Sequence, residues 1–154
     1  PLVTEVQTCA LPISPFFEIT GTDWPTRDGS GIRDYIHVWD LARAHVKAIE
    51  NFDAVFASGA KNPADSLGGS PGYQVINLGT GRGVTVRELV SAFEGVHGSP
   101  IKKKDAPSRP GDVAGSFASS ELAERLIKWR AELPVSQGIS DALKWASKWQ
   151  PIEP

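Results

Sequence analysis

Arg33 is the residue whose type and position point most directly to chemistry. It stands where a turn-rich loop, residues 21–31, passes into a strand-like run, residues 32–38. Glycine, proline, aspartate and serine make up most of the loop, which indicates tight turns. A guanidinium on a rigid element beside such a loop can hold a phosphate or a carboxylate through two parallel hydrogen bonds. The alternative is an ordinary ion pair of Arg33 with Asp34 or Asp40.

A glycine-rich turn, Gly79–Gly83, is a second candidate site because it joins a predicted strand to a predicted helix. A strand followed by G-x-G is half of the dinucleotide-binding fingerprint. The third glycine of that fingerprint would fall at Val84, and residues 101–103, about 20 positions further on, contain no acidic side chain. The pattern therefore favours a connection without a ligand, with cofactor binding as the alternative.

Other catalytic and metal-binding patterns are not found. His37, His45 and His97 lack a second histidine or a carboxylate at the spacing of metal ligands. The sequence contains neither the G-x-S-x-G motif of serine hydrolases nor the G-x-x-x-x-G-K phosphate loop. We therefore predict no metal site, no cofactor-binding residue and no catalytic residue in this chain.

Length and composition limit the classes of protein further. The chain has 154 residues, 40% of them hydrophobic, which suffices for the core of one ordinary domain. A formal net charge of −2 argues against a general nucleic-acid-binding protein. No apolar run approaches the roughly 18 residues that a membrane-spanning helix needs.

The first segment, residues 1–14 (PLVTEVQTCALPIS), differs in character from the rest of the chain and contains the only cysteine, Cys9. Residues 6–13 resemble the translation of a sequencing-library adapter, so we predict that residues 1–14 are not native to the protein. A signal peptide is the alternative, but the segment lacks a basic start and a sustained apolar run.

The alternation of strand and helix patterns from residue 15 onward predicts an α/β fold. Thr85 and Glu88 have the spacing of a capping box at the start of a helix that Gly98 ends. Residues 73–78 are apolar enough for a parallel strand buried on both faces, whereas 58–72 and 107–112 are rich in glycine and proline and predict loops. The other predictions are strands at 16–20, 32–38 and 101–106, and helices at 41–52, 120–128 and 136–149.

The chain closely resembles the carboxyl-terminal half of the UDP-glucose 4-epimerases, a branch of the extended short-chain dehydrogenase/reductase family. Three segments carry the resemblance, in this order: GTDWPTRDGSGIRDYIHVWDLARAH, YQVINLGTGRGVTVRELV and KKKDAPSRPGD. The resemblance spans residues 15–150. It implies the carboxyl-terminal part of an α/β enzyme, with an incomplete Rossmann-type sheet and a small UDP-sugar-binding domain, so residues 15–154 are interpreted as the substrate-binding part.

The resemblance also implies roles for four residues. Arg33 and Arg109 match arginines that family members place on the nucleotide diphosphate, and Asp112 matches an aspartate that holds the ribose or uridine end. Thr20 falls where main-chain groups lie near the uracil. Ser116 occupies a position that is tyrosine in some members and receives no role.

The family's chemistry implies NAD as cofactor, UDP-glucose and UDP-galactose as substrates, and a cytoplasmic homodimer. It needs an amino-terminal dinucleotide-binding turn and a Tyr-x-x-x-Lys pair. Tyr35 and Tyr73 are followed four residues later by Trp39 and Asn77, so neither begins that pair. The chain is therefore interpreted as a truncated epimerase. The alternatives are a fragment of a related epimerase, dehydratase or reductase, and a stand-alone nucleotide-sugar-binding module.

Overall fold

The structure, a computed structural model, describes residues 16–57 and 74–148. These residues form two compact units. Unit 1 comprises residues 16–33 and 84–115, and unit 2 comprises the remaining described residues. The predicted foreign segment 1–14, the predicted loop 58–72, Tyr73 and Trp149 lie outside the described residues.

Short strands alternate with helices in the described residues, which confirms the predicted α/β class. In chain order the elements are β1 (Phe17–Thr20), β2 (Ile32–Arg33), α1 (Val38–Glu50), α2 (Phe52–Ala57), β3 (Val84–Thr85), α3 (Val86–His97), β4 (Lys103–Ala106), α4 (Glu121–Ile127) and α5 (Val135–Ala146). The four strands and α3 belong to unit 1, and the other helices belong to unit 2. None of the described helices is both long and apolar enough to cross a bilayer.

Unit 1 contains two small sheets. β1 pairs with β4 in parallel, and the register places Thr20 opposite Ala106. β2 pairs with β3 in the antiparallel direction, and Ile32 also forms a parallel bridge with Gly115. Because parallel strands end at the same edge, the loops that follow β1 and β4 leave the sheet together. The loop after β1 leads into β2, and the loop after β4 passes beside β2 at Gly115.

The predicted capping box of α3 is confirmed. The Thr85 hydroxyl accepts the Glu88 backbone N–H at 3.1 Å, and the Glu88 carboxylate accepts the Thr85 N–H at 2.9 Å. Gly98 ends the helix with a left-handed φ of 81°, as expected for a residue without a Cβ. These contacts fix the junction between β3 and α3.

Unit 2 is organised around the side chain of Trp129, which is 2% exposed. It packs with Ala44 of α1 and with Ala123 and Ile127 of α4. Its indole N–H donates to the backbone carbonyl of Asp40 at 2.9 Å, so the polar part of the ring is satisfied inside the core. Full burial of a large apolar side chain of this kind contributes about 1.5–3 kcal/mol or more.

The predicted strand over residues 32–38 is too long. β2 ends at Arg33, and α1 already begins at Val38 with His37 as its N-cap. A strand extends only as far as its partner, and Arg33 already lies opposite Val84, the first residue of β3. The β-branched and aromatic residues that follow Arg33 therefore find no ladder to join.

The predicted buried strand over residues 73–78 is wrong for the five of its residues that the structure describes. Residues 74–78 have no regular secondary structure, and the Val75 side chain is 52% exposed. None of the described strands pairs with this segment. Ile76 and Leu78 still pack on the core of unit 2, so the apolar pattern correctly marks a packed segment but not a paired one.

Helix α5 begins one residue earlier than predicted and ends at Ala146. None of its residues is buried. Within the predicted inner face, Ile139 and Leu143 are partly buried, whereas Ala142 and Ala146 are exposed. The predicted apolar face is therefore only partly buried, at Ile139 and Leu143.

Candidate functional site

Arg33 lies at the end of β2, the strand of unit 1 that has neighbours on both sides. On one side it is paired with β3, where Arg33 faces Val84. On the other side the Ile32 N–H donates to the Ala114 carbonyl at 2.8 Å. The half-buried guanidinium donates to the carbonyl of Ile32 at 2.8 Å. The backbone around Arg33 is therefore held by two other segments of the chain.

Arg109 and Asp112 form a tight turn in the loop that follows β4. The Asp112 N–H donates to the Arg109 carbonyl at 3.0 Å, and Asp112 Oδ2 accepts the Arg109 N–H at 2.9 Å. Arg109 Nε lies 3.5 Å from the same oxygen, and half of the Arg109 side chain is exposed. Gly111 completes the turn with a left-handed φ of 88°.

The carboxylate of Asp112 is kept ionised by its surroundings. The backbone hydrogen bond from Arg109 lowers the pKa of Asp112, and the positive charges of Arg109 and Arg33 lower that pKa further. The Arg33 charge acts on Asp112 because the loop after β4 packs beside β2 at Ala114 and Gly115. Asp112 Oδ1 has no hydrogen-bond partner among the described residues, so it is available as an acceptor.

Thr20 lies at the carboxyl end of β1, directly opposite Ala106, where β4 ends. The next residue, Gly21, donates its N–H to the Ala106 carbonyl at 2.9 Å. The loop that carries Arg109 therefore starts beside Thr20. All four predicted site residues thus lie in unit 1, with Thr20 at the carboxyl edge of the β1–β4 sheet and the other three in the segments that follow β1 and β4. Open α/β sheets bind ligands at this edge.

The structure does not support an ion pair of Arg33 with Asp34 or Asp40, the alternative to a ligand-binding role. The buried Asp40 carboxylate accepts the backbone N–H groups of Glu132 and Leu133. Asp34 accepts three hydrogen bonds, from Thr80 N–H, the Thr80 hydroxyl and Ala118 N–H. Among the described residues, Arg33 forms no ion pair within 4.0 Å.

The glycine-rich turn at Gly79–Gly83 is explained by internal contacts. A Cβ on Gly79 would lie 2.2 Å from the Asp34 carboxylate, so the close approach of this carboxylate requires glycine. The Thr80 N–H donates to Asp34 at 3.0 Å, and the Arg82 N–H donates to the Thr80 hydroxyl at 3.2 Å. Backbone N–H groups that already donate to acceptors within the turn cannot also donate to a pyrophosphate. The Thr80 and Arg82 amides of this turn are therefore not available to the pyrophosphate of a dinucleotide.

Sequence reasoning missed a polar network that joins the loop before β2 to the start of α3. Asp28 Oδ1 accepts the N–H and the hydroxyl of Ser30, at 2.9 and 2.7 Å. Asp28 Oδ2 accepts the hydroxyl of Thr85. The side chains of Ser30 and Thr85 are fully buried. The D-x-S spacing of an Asx turn was the one available sequence signal, but nothing in it indicates Thr85, 57 residues away.

This network makes stability depend on pH. Burial raises the pKa of Asp28, but the hydrogen bonds from Thr85 and Ser30 outweigh burial and hold that pKa below its usual value. A carboxylate with a lowered folded-state pKa stabilises the fold above its unfolded pKa, near 3.9, and loses that contribution as the pH falls through the folded value.

Asp28→Asn should therefore lower the free energy of unfolding by about 1–2 kcal/mol at pH 7, with a difference that shrinks below about pH 4. Urea denaturation between pH 7 and pH 3 measures this. Asp23→Asn is the control, because Asp23 is an exposed aspartate of the same loop, and it should change the free energy by less than about 0.5 kcal/mol. A cost for Asp28→Asn that is equal at pH 7 and pH 3 would contradict the assignment.

Comparison with curated proteins finds UDP-glucose 4-epimerases that match most of this chain. No protein-family model matches the chain. A UDP-glucose 4-epimerase of Cyamopsis tetragonoloba is 41% identical over 146 residues, which are 95% of this chain and 38% of that protein. The UDP-glucose 4-epimerase of Bacillus subtilis is 40% identical over 129 residues, 84% of this chain and 34% of that protein.

Solved structures agree with the sequence comparison. The crystal structure of the Bifidobacterium longum UDP-glucose 4-epimerase, in complex with NAD+ and UDP, superposes with a TM-score of 0.73 and 36% identity over 90% of this chain and 37% of that one. The Stenotrophomonas maltophila enzyme, with bound NAD and formylated UDP-arabinopyranose, gives the same TM-score and coverage.

The fold and these similarities agree: the described residues are α/β, and the chain is similar in sequence and in structure to UDP-glucose 4-epimerases. The chain spans between a third and two fifths of the length of the curated relatives named above.

Proposed function

We propose that the chain is the UDP-binding part of a UDP-glucose 4-epimerase, which interconverts UDP-glucose and UDP-galactose with NAD as its cofactor. The observation that carries the proposal is the meeting, in unit 1, of the strand that bears Arg33 with the loop that bears Arg109 and Asp112. The similarity to a UDP-bound epimerase supports the choice of ligand.

Two guanidiniums on separate backbone segments suit a diphosphate. Each planar fork can donate two parallel hydrogen bonds to phosphate oxygens, and a charged hydrogen bond contributes about 1.5–3 kcal/mol. Arg33 emerges from a strand that is held on both sides, so little freedom is lost when it binds. Arg109 is more exposed and would close on the diphosphate from the other loop.

Asp112 and Thr20 would contact the nucleoside. The free Oδ1 of the ionised Asp112 carboxylate can accept hydrogen bonds from the vicinal hydroxyls of the ribose. The main chain at Thr20 lies where the loop after β4 starts, and backbone groups at this edge can pair with the uracil. These contacts orient UDP but do not touch the carbon atom at which the sugar is inverted.

The chemistry at the sugar would depend on groups outside this chain. NAD would remove and return a hydride at C4, and a Tyr-x-x-x-Lys pair would move the proton. Neither the pair nor a turn that fits the dinucleotide is found in the described residues, so no catalytic step is assigned to them. The complete enzyme is proposed to be a cytoplasmic homodimer on the basis of the family resemblance.

The proposal is tested in a chimaera in which this chain replaces the matching segment of the Bifidobacterium longum enzyme. Arg33→Ala and Arg109→Ala should each weaken UDP binding by about 1.5–3 kcal/mol, measured by titration calorimetry at low salt. Lysine should rescue only partly, because it keeps the charge but loses the planar fork. The NAD content should stay unchanged, because the family resemblance implies that the cofactor site lies in the amino-terminal half.

Arg43→Ala is the matched control for these variants. Arg43 is also a partly exposed arginine, but it lies in unit 2 and pairs with Glu132 at 2.6 Å. Its loss should leave UDP affinity unchanged. If both Arg33→Ala and Arg109→Ala bound UDP as tightly as the parent chimaera, the proposed diphosphate site would be wrong.

A further inference from the structure

We propose that Asp28, Ser30 and Thr85 form a positioning network that sets β2 in place, and through β2 directs Arg33 toward the diphosphate. The inference rests on the proposed function of Arg33. None of the three network residues needs to touch the ligand. Their role is to fix the backbone from which the guanidinium emerges.

The two-residue ladder of β2 and β3 is too short to define its own register. A strand this short has few hydrogen bonds to its neighbour, and a shift by one residue would turn Arg33 to the opposite face of the sheet. Ile32 pairs with Thr85, and the Val86 N–H donates to the Gly31 carbonyl at 2.9 Å. Side-chain contacts beyond the ladder therefore add to the backbone contacts of Ile32 with Ala114 and Gly115 in holding β2.

Asp28 supplies these contacts to both strands, at the Ile32–Thr85 end of the pairing. Through Oδ1 it holds Ser30, two residues before β2, and through Oδ2 it holds Thr85 of β3. The Ser30 hydroxyl also accepts the Arg87 N–H at 3.2 Å, which adds a second link to the first turn of α3. A single carboxylate thus ties the segment before β2 to the strand that pairs with β2.

The Thr85 hydroxyl both donates and accepts a hydrogen bond in this arrangement. It donates its proton to Asp28 and accepts the Glu88 N–H as the cap of α3. It is completely buried, so water cannot replace a lost partner. Removing the hydroxyl would release both Asp28 and the end of β3, whereas removing only the methyl group would not.

The direction of the Arg33 side chain depends on this backbone. Within the described residues, the hydrogen bond of its guanidinium is to the carbonyl of Ile32, in β2 itself. The side chain therefore moves when β2 moves. A bidentate contact to phosphate is sensitive to such movement, because a displacement of about 1 Å can reduce a positioned interaction up to a hundredfold.

Two substitutions of Thr85 in the NAD-loaded chimaera test the network. Thr85→Val keeps the shape but loses the hydroxyl, and it should weaken UDP binding roughly tenfold and raise KM for UDP-galactose while kcat changes little. Thr85→Ser keeps the hydroxyl and should bind UDP like the parent. Ser30→Ala is a milder second variant if Thr85→Val does not fold, with a smaller loss of affinity in the same direction.

A double-mutant cycle separates positioning from general instability. In the Arg33→Ala background, Thr85→Val should have little further effect on UDP affinity, because the group that it positions is gone. Val90→Ala is the control for lost stability, since Val90 is a buried α3 residue outside the network. This control should leave UDP affinity unchanged.

The outcomes distinguish the two proposals. If Arg33→Ala weakens UDP binding but Thr85→Val and Ser30→Ala do not, the network has no positioning role and the diphosphate site stands. If the effects of Thr85→Val and Arg33→Ala simply add, or if Val90→Ala weakens binding equally, the positioning role is also overturned. If Arg33→Ala alone has no effect, the positioning role is overturned, and if Arg109→Ala has none either, the proposed function itself fails.

Discussion

Gly115→Ala is expected to lower the free energy of unfolding by about 3–5 kcal/mol and to abolish measurable UDP binding. A Cβ on Gly115 would lie 1.9 Å from the carbonyl oxygen of Ile32, a contact with backbone that cannot rotate away. The φ of 126° adds strain for any residue with a side chain. Relief requires the loop after β4 to leave β2, which separates Arg109 and Asp112 from Arg33.

Gly111→Ala is the matched control, because Gly111 lies in the same loop and also has a positive φ, 88°. Nothing among the described residues lies within 4 Å of the position that a Cβ would take there. Alanine would therefore be strained by the positive φ but would not clash with a neighbour. We expect a cost of about 1–2 kcal/mol. Urea denaturation and UDP titration measure both variants. If Gly115→Ala is no more harmful than Gly111→Ala, the close packing of Gly115 on β2 is wrong.

Asp40→Ala should lower the free energy of unfolding by about 2–4 kcal/mol, the second largest effect that we expect. The fully buried Asp40 carboxylate accepts the N–H groups of Glu132 and Leu133 at 3.0 and 2.9 Å. Alanine would leave both donors without a partner, and an unsatisfied buried donor costs about 1–3 kcal/mol. The segment after Trp129 would lose its anchor on α1.

Asp53→Ala is the control for Asp40→Ala. Asp53 is an exposed aspartate in the first turn of α2, and its loss should change the free energy of unfolding by less than about 0.5 kcal/mol. Thermal and urea denaturation of both variants provide the measurement. Equal effects at the two positions would show that the Asp40 carboxylate is not a structural acceptor.

The elements with local signals were predictable from the sequence. The capping box of Thr85 and Glu88 and the terminal Gly98 define α3 because their contacts lie within one helical turn of the helix ends. The loop after β4 was predictable because proline and glycine forbid regular structure. Strand β1 begins within one residue of its predicted start.

The elements that failed depend on distant partners. Residues 74–78 have the apolar composition of a buried strand, but a strand also needs a neighbouring ladder, and none of the described strands provides one. Trp129 was not recognised as a core residue, because its contact with Asp40 joins positions 89 residues apart. Composition and periodicity carry no information about such pairs.

Only part of the candidate site was predictable from the residues themselves. Arg33 was recognisable from its position at the end of a turn-rich loop, whereas Arg109, Asp112 and Thr20 were assigned through the family resemblance. The structure adds their common location in unit 1 and the role of Gly115 in bringing one loop against β2. The Asp28 network was not predictable, because hydroxyl groups of serine and threonine are common and give no sign of their partners.

The most direct test of the central claim is a crystal structure of the NAD-loaded chimaera with UDP. We predict guanidinium nitrogens of both Arg33 and Arg109 within about 2.7–3.2 Å of diphosphate oxygens, with Asp112 Oδ1 on a ribose hydroxyl. A diphosphate that binds with both guanidiniums beyond hydrogen-bonding distance would contradict the claim.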